Sequence, residues 1–217
     1  MPQDKRYGAF LTFEGIDGSG KSTQARLLAE ALRQNGHDVL LTREPGGSPG
    51  AEEIRSLLLH GEPDRWSAET ELLLFTAARR DHVERTIQPA LDAGKIVICD
   101  RFVDSTRAYQ GITRGDLRAR VDTLHALMIG IEPDLTFLID INPNIALARA
   151  TKRVGAEARF ESFGIELQAT LRAGFLNLAN RSRRFRVIAG NRPEAEVAEE
   201  VHHHATGFLG PLDVVPV

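Results

Sequence analysis

The stretch Phe10 to Ser22, FLTFEGIDGSGKS, decides the fold. A short apolar run enters Gly15-x-x-x-x-Gly20-Lys21-Ser22, and a helical pattern follows in which Ala25, Leu28, Ala29 and Leu32 make one apolar stripe. Glycines let the backbone curl until its N–H groups point inward, and the helix behind adds the positive end of its dipole, so the loop is built to hold phosphate. In this P-loop, Lys21 would reach the β- and γ-phosphates of a nucleotide as a point charge, and the Ser22 hydroxyl would ligate Mg²⁺. Asp17 is the odd member. A carboxylate beside a triphosphate meets like charge at short range, so it should face away from the donor. It reads either as a plain turn residue or as an acceptor for a hydroxyl on a second ligand.

Outward from the loop, short apolar runs alternate with helical stretches, the mark of an α/β domain with a mainly parallel sheet. Five runs read as strands: Ala9 to Phe13, Val39 to Thr42, Ile96 to Cys99, Leu135 to Ile139 and Phe185 to Ala189. Gly36, Gly94 and Gly190 stand where turns or helix ends would fall. With 217 residues the chain reads as a single domain over 1–217, large enough to need no disulfide, and Cys99 is its one cysteine. Charged residues at 26% and a formal charge of -3 argue against a general nucleic-acid binder. No stretch has the length of a membrane span or a signal peptide, which points to a cytoplasmic protein.

Two further segments lie at strand C-terminal ends, the edge of an open α/β sheet where ligands bind. Thr42-Arg43-Glu44-Pro45-Gly46-Gly47 follows the second strand and Asp100-Arg101-Phe102 the third. Arg43 and Arg101 would converge there as forked phosphate donors, and Asp100 stands where a strand-end carboxylate holds Mg²⁺. The competing reading of Asp100 and Arg101 is a surface ion pair. In LLLFTAARR, Phe75 and Arg79 are i, i+4 neighbours, suited to stacking on a base and bonding its edge, although an isolated Phe at helical spacing is more often core. The Arg-rich tract from Arg149 to Glu161 (RATKRVGAEARFE) reads on composition as either a solvated helix end or a functional segment.

With these residues together, the sequence closely resembles the thymidylate kinase family over roughly residues 8 to 200. FEGIDGSGKSTQ, TREPGGSPGAEEIRSLLL, LLLFTAARRDHVERTIQPAL, VICDRFVDSTRAYQG and PDLTFLIDI carry the resemblance in order. It implies a P-loop NTPase fold with a five-stranded parallel sheet, helices on both faces and a small mobile lid at about 149–161. It also implies transfer of phosphate from MgATP to dTMP by a cytoplasmic homodimer without nucleic-acid or membrane partners. ATP would occupy Gly15, Ile16, Asp17, Gly18, Ser19, Gly20, Lys21 and Ser22. For dTMP, Asp17 would take the 3′-hydroxyl, Arg43 and Arg101 the phosphate, and Phe75 the thymine face, with Arg79 and Ser105 or Thr106 near its polar edge. Tyr109 would fill the space of a ribose 2′-hydroxyl, with Gln110 beside it. The loop lacks an arginine, so the lid must supply one, from Arg153 or Arg159, with Arg149, four residues before Arg153, on the same face if the helix continues; Ala158 stands where the family often has an acid, and Phe102 where it usually has tyrosine. Gly155 would let the lid hinge.

The acceptor in such a reaction is a phosphate oxygen already ionised near neutral pH, so no general base is needed. Catalysis would rest on alignment and on charge neutralisation by Lys21, Arg101, the lid arginines and Mg²⁺, each cation supplying ~3–4 kcal/mol. The rival reading within this fold is another deoxynucleotide or deoxynucleoside kinase. From a different class, a nucleotide-dependent switch is the rival, although the chain lacks the Asn-Lys-x-Asp guanine motif. His202, His203 and His204 are consecutive on a helix and face different ways, unlike a helical metal pair. Leu117, Val121, Leu124 and Met128 form a stripe that reads as core or as dimer surface.

Overall fold

The first strand is AFLTFE, and its side chains are buried on both faces, as a central parallel strand requires. The computed structural model describes residues 8–62, 65–112, 117–150 and 164–210. β1 (Ala9–Glu14) lies in the middle of a five-stranded parallel sheet that also contains β2 (Val39–Arg43), β3 (Ile96–Asp100), β4 (Leu135–Asp140) and β5 (Phe185–Ala189). The order is β2-β3-β1-β4-β5, with Leu11 of β1 in register with Ile98 of β3 and Leu135 of β4.

All five apolar runs are strands, but four continue one residue further, into Glu14, Arg43, Asp100 and Asp140. Backbone ladder bonds do not depend on side-chain polarity, so the sheet runs on until its charged edge meets the cleft.

Strand alternation splits the core in two. Leu11 and Phe13 pack against Ala25, Leu28 and Leu32 of α1 (Lys21–Gln34) and Val197 and Val201 of the last helix. On the other face Phe10, Val97 and Cys99 meet Leu72, Leu91, Phe102 and Val121. Between the strands run α2 (Pro49–Leu59), α3 (Ala68–His82), α4 (Gln88–Asp92), α5 (Val103–Ile112), α6 (Arg118–Met128) and α7 (Pro143–Ala150). A π-helical turn, Val83–Ile87, joins α3 to α4. The chain ends with α8 (Ile165–Arg181), β5 and α9 (Glu194–Leu209). A third cluster around Leu138 takes in Ala146, Leu171 and Phe175 from α7 and α8. Each fully buried Leu or Phe contributes about 1.5–3 kcal/mol of transfer free energy, and helices cover both faces.

α5 matters most for the site, because it carries Ser105, Thr106, Tyr109 and Gln110 together. Its Asp104 is buried and accepts from Arg107 at 3.0 Å and Arg184 at 2.6 Å, which ties the helix to the body of the domain. In the α6 stripe Leu117 and Val121 are core, Leu124 is partly buried, and Met128 is half-exposed beside exposed Leu127. Cys99 is wholly buried, and burial pushes its thiol up. Among the described residues no helix is long and apolar enough to cross a membrane, and no cluster of His, Cys, Asp and Glu is arranged to hold a metal.

Candidate active site

The loop after β1 takes its shape from glycines at positive φ: Gly15 at 143°, Gly18 at 79° and Gly20 at 97°. A Cβ on Gly18 would stand 2.1 Å from the Ala146 carbonyl oxygen of α7, so only glycine fits there. α1 starts after Gly20 with no side-chain cap, which leaves its first-turn N–H groups open to a ligand. Lys21 is buried in the hollow of the loop, its Nζ donating to the Ile16 carbonyl at 3.4 Å and lying 3.6 Å from Asp17 Oδ1. Burial and the nearby Arg101 guanidinium push the Lys21 pKa down, while Asp17, Asp100 and Glu14 resist. Ile16 itself points into the core; Ser22 is exposed at the cleft.

A cleft of ≈ 400 Å³ opens beside this loop, with Asp17, Gly18, Lys21 and Ser22 at one end. Arg101, just past β3, has φ of 71°, a left-handed conformation that costs a non-glycine residue about 1–2 kcal/mol. The residues around it hold it there. Its N–H donates to the Phe13 carbonyl at 2.9 Å. Glu14 accepts from Phe102 N–H at 2.8 Å, Ser105 N–H at 3.2 Å and the Ser105 hydroxyl at 2.6 Å, clamping the residues that follow. The Arg101 guanidinium donates to Ser105 Oγ at 2.8 Å, Gly15 O at 3.3 Å and Asp17 Oδ1 at 2.5 Å, and lies 5.4 Å from the centre of the Tyr109 ring. Tyr109 Oη donates to Asp17 Oδ2 at 2.9 Å.

Electrostatics follow from this packing. Burial alone would raise Asp17, but Arg101 and Lys21, with the hydrogen bonds from Tyr109 and Arg101, outweigh it and hold the carboxyl at about 2. Glu14 behaves oppositely: burial and then Asp104 lift it to about 7 against the pull of Arg101, Ser105 and Phe102. Burial would lower Arg101, yet Tyr109, Asp17, Asp100 and Glu14 raise it, so it stays charged.

At the far end of the cleft Phe75 and Arg79 of α3 line the wall with Thr106 and Gln110 of α5. Arg79 is only 4% exposed; Nε donates to Glu44 Oε2 at 2.7 Å and Nη2 to Thr106 Oγ1 at 3.0 Å. Its guanidinium sits 5.1 Å from the centre of the Phe102 ring. Phe102 in turn packs edge-on to Phe10 at 4.9 Å between centroids. Arg43 lies at the mouth, 55% exposed, donating to Glu52 Oε1 at 3.0 Å. The Glu44–Pro45 bond is cis, and Arg55 of α2 donates to the Pro45 carbonyl at 2.6 Å as it lines the same cleft. Asp100 Oδ1 is buried with no hydrogen-bond partner among the described residues, facing the Lys21 end.

A second cleft of ≈ 280 Å³ lies on the other side of the phosphate loop, lined by Gly18, Ser19, Gly20, Gln24, Arg149 and Arg192 among others. The structure thus gathers Asp17, Gly18, Lys21, Ser22, Arg43, Phe75, Arg79, Asp100, Arg101, Ser105, Thr106, Tyr109 and Gln110 around one space, and Ser19 and Gly20 around the adjoining one. Arg153 and Arg159 lie outside the described residues. Sequence reasoning missed Glu14, Glu44, Arg55, His82 and Arg192. For Glu14 a signal existed: a carboxylate ending an apolar strand directly before a phosphate loop has no reason to be there without partners.

A phosphate loop shared by two clefts, one of them ringed by strand-end arginines, defines a P-loop nucleotide-binding protein with a basic cleft beside the loop. Comparisons with known proteins narrow the class. The family model for thymidylate kinase matches residues 13–201. A thymidylate kinase from Ruegeria pomeroyi is 72% identical over 89% of this chain and 92% of its own length. One from Dinoroseobacter shibae is 68% identical over 92% and 97%. The crystal structure of thymidylate kinase from Ehrlichia chaffeensis superposes with a TM-score of 0.72 at 38% identity, covering 94% of this chain and 99% of that one. The chain belongs to the thymidylate kinase family, and is an enzyme, a kinase.

Proposed function

We propose that the protein transfers the γ-phosphoryl group of MgATP to dTMP, giving dTDP and ADP, with dTMP in the larger cleft and ATP on the phosphate loop. One observation carries the assignment of ends: Lys21, Arg101 and Asp100 cluster where the larger cleft meets the loop, while Phe75 and Arg79 lie side by side on α3 along its distant wall. Phosphate therefore belongs at the first and a pyrimidine at the second. An oxygen of the dTMP phosphate attacks Pγ, the new O–P bond forms as the bond from Pγ to the β,γ-bridging oxygen breaks, and ADP leaves with that electron pair.

In this reading the first-turn N–H groups of α1 and Lys21 hold the donor phosphates, and Arg101 releases Asp17 to grip the acceptor phosphate. Asp17, held ionised in the resting site by Arg101 and Lys21, then takes the 3′-hydroxyl. Phe75 stacks on thymine, Arg79 donates to its carbonyl edge, and Tyr109 and Gln110 close the sugar side. Arg43 adds charge from the mouth, and Arg153 or Arg159 supplies a further cation from 149–161. The donor's nucleoside would lie in the second cleft against Arg149 and Arg192. The unpartnered Asp100 oxygen and the exposed Ser22 hydroxyl suit a hard cation and would hold Mg²⁺, which when bound supplies charge neutralisation at the donor phosphates.

Half-exposed or exposed Leu73, Leu127 and Met128 on α3 and α6 support a homodimer through that face. A net charge of -3 favours an enzyme of small molecules over a nucleic-acid binder, and a cytoplasmic location belongs to the same proposal.

The test is a coupled assay of ADP release with ATP, Mg²⁺ and dTMP, dUMP, dCMP or thymidine. Turnover with dTMP should exceed that with each of the others. Equal turnover with thymidine would reassign the protein to nucleoside phosphorylation, and none with any acceptor would leave a nucleotide-dependent switch.

A further inference from the structure

We infer that His82 is a positioning residue for pyrimidine selection: through Glu44 it fixes Arg79 so that one donor edge of the guanidinium stays aimed at the base. The inference rests on the placement of the pyrimidine beside Phe75 and Arg79 proposed above. His82 does not line the cleft; it is wholly buried at the end of α3 and works only through its neighbours.

Its two nitrogens are both committed. Nδ1 lies 3.2 Å from Glu44 Oε1 and Nε2 lies 2.8 Å from Thr42 Oγ1. An ionised carboxylate only accepts, so Nδ1 carries the proton toward Glu44, and in the neutral ring the Thr42 hydroxyl donates to Nε2. Glu44 therefore has one oxygen held by His82 and the other by Arg79, residues three apart on the same helix. Its carboxylate plane cannot rotate without breaking one of them.

Arg79 is in turn held at both ends, by Glu44 on Nε and by Thr106 on Nη2, with the Phe102 ring beneath. Among the described residues its Nη1 has no hydrogen-bond partner. A guanidinium only donates, so a base edge carrying a carbonyl satisfies it, whereas an exocyclic amine leaves donors facing each other. This distinguishes 4-oxo from 4-amino pyrimidines. The distinction is sharp only while Arg79 cannot swing aside, since a mobile arginine would retreat and let water compensate.

The packing leaves His82 no freedom. A Cβ on Gly47 would stand 2.3 Å from His82 Nε2 and 2.5 Å from Thr42 Oγ1, and Thr86 pins the Gly47 carbonyl at 2.9 Å. The segment TREPGG thus supplies Thr42, Glu44 and Gly47, and FTAARRDH supplies Phe75, Arg79 and His82: two sequence motifs that meet in one relay.

The experiment compares His82→Leu, which fills the space without polar contacts, with His82→Asn, which keeps a donor toward Glu44. Three constants are read: KM for dTMP, the inhibition constant of dCMP competing with dTMP, and KM for ATP. His82→Leu should raise KM for dTMP about tenfold while dCMP binds as well or better and KM for ATP stays within about twofold; His82→Asn should recover most of the loss. An unchanged KM for dTMP, or all three constants rising together as for a merely structural histidine, would overturn the inference. Should His82→Leu fail to fold, Thr42→Val keeps the ring but removes the partner that orients it, and must move the same constants in the same sense or the inference falls. Arg79→Met separates the two readings. If it retains the preference for dTMP over dCMP, the placement of the base is wrong; if it loses the preference while the His82 and Thr42 variants keep it, only the role of His82 is.

Discussion

Two of the arginines that line the larger cleft, Arg79 and Arg101, are held in opposite ways. At the proposed base end, Arg79 is almost fully buried on the cleft wall, braced by Glu44 and Thr106, and its Nη1 has no hydrogen-bond partner among the described residues. At the phosphate end, Arg101 sits on a left-handed backbone with its guanidinium bonded to Asp17, Ser105 and the Gly15 carbonyl. One end is complete before anything binds. The other is closed on itself, and in the proposed reaction it must exchange partners, Asp17 giving way to a phosphate. Under the proposed function, recognition of the base is thus built into the resting fold, while the electrostatics of transfer are assembled when both nucleotides arrive.

The largest test of that contrast falls at the phosphate end. Arg101→Ala and Lys21→Ala should each lower kcat by more than about a hundredfold, with circular dichroism showing an intact fold, because in the proposed reaction each removes a cation that neutralises the transferring group. A folded Lys21→Ala enzyme with near-normal turnover would remove that residue from the reaction. Arg43 supplies the intermediate case. Its side chain is 55% exposed and its one described ion pair is with Glu52, so Arg43→Ala should raise KM for dTMP by about three- to tenfold and leave kcat nearly unchanged, the contribution of a solvent-screened charge. A loss in kcat as large as for Arg101 would mean that the mouth of the cleft closes far more tightly than in the resting fold.

The smallest effect concerns Glu14, which braces Arg101 through Ser105. Its carboxyl is lifted from 4.5 to about 7, chiefly by burial, so the folded protein keeps a proton that the unfolded chain releases. Its contribution to stability is full below 4.5 and is lost as pH rises toward about 7 and past it. The melting temperature of the native protein, taken relative to Glu14→Gln, should therefore fall across that interval. A difference independent of pH would show that Glu14 titrates as an ordinary surface carboxylate.

Much of this was legible beforehand because the signals are local. Apolar runs set all five strands, and contiguous motifs supplied the phosphate loop, Arg43, Arg79, Arg101 and Tyr109. The strands run one residue past their apolar stretches, to Glu14, Arg43, Asp100 and Asp140, because polarity hides a continuing ladder. Glu14 and Ser105 are 91 residues apart in sequence, and Glu44 and Arg79 are 35 apart. Their partnership depends on how β1, β2, α3 and α5 meet at the sheet edge, and no pattern within one segment encodes it. Arg55 was hidden for a related reason: its face of α2 is decided by packing on α3.

The grip of Asp17 on Arg101, Tyr109 and Lys21 has a consequence for stray ions. A free orthophosphate drifting into the empty enzyme finds its natural counter-charges already engaged, and must dislodge a carboxylate that has nowhere better to go. A nucleotide brings its own compensation, a sugar hydroxyl for the displaced oxygen to accept. Under the proposed function, the resting ion pair would work as a decoy, making free orthophosphate a poor competitor for a site that takes the same group on a nucleotide.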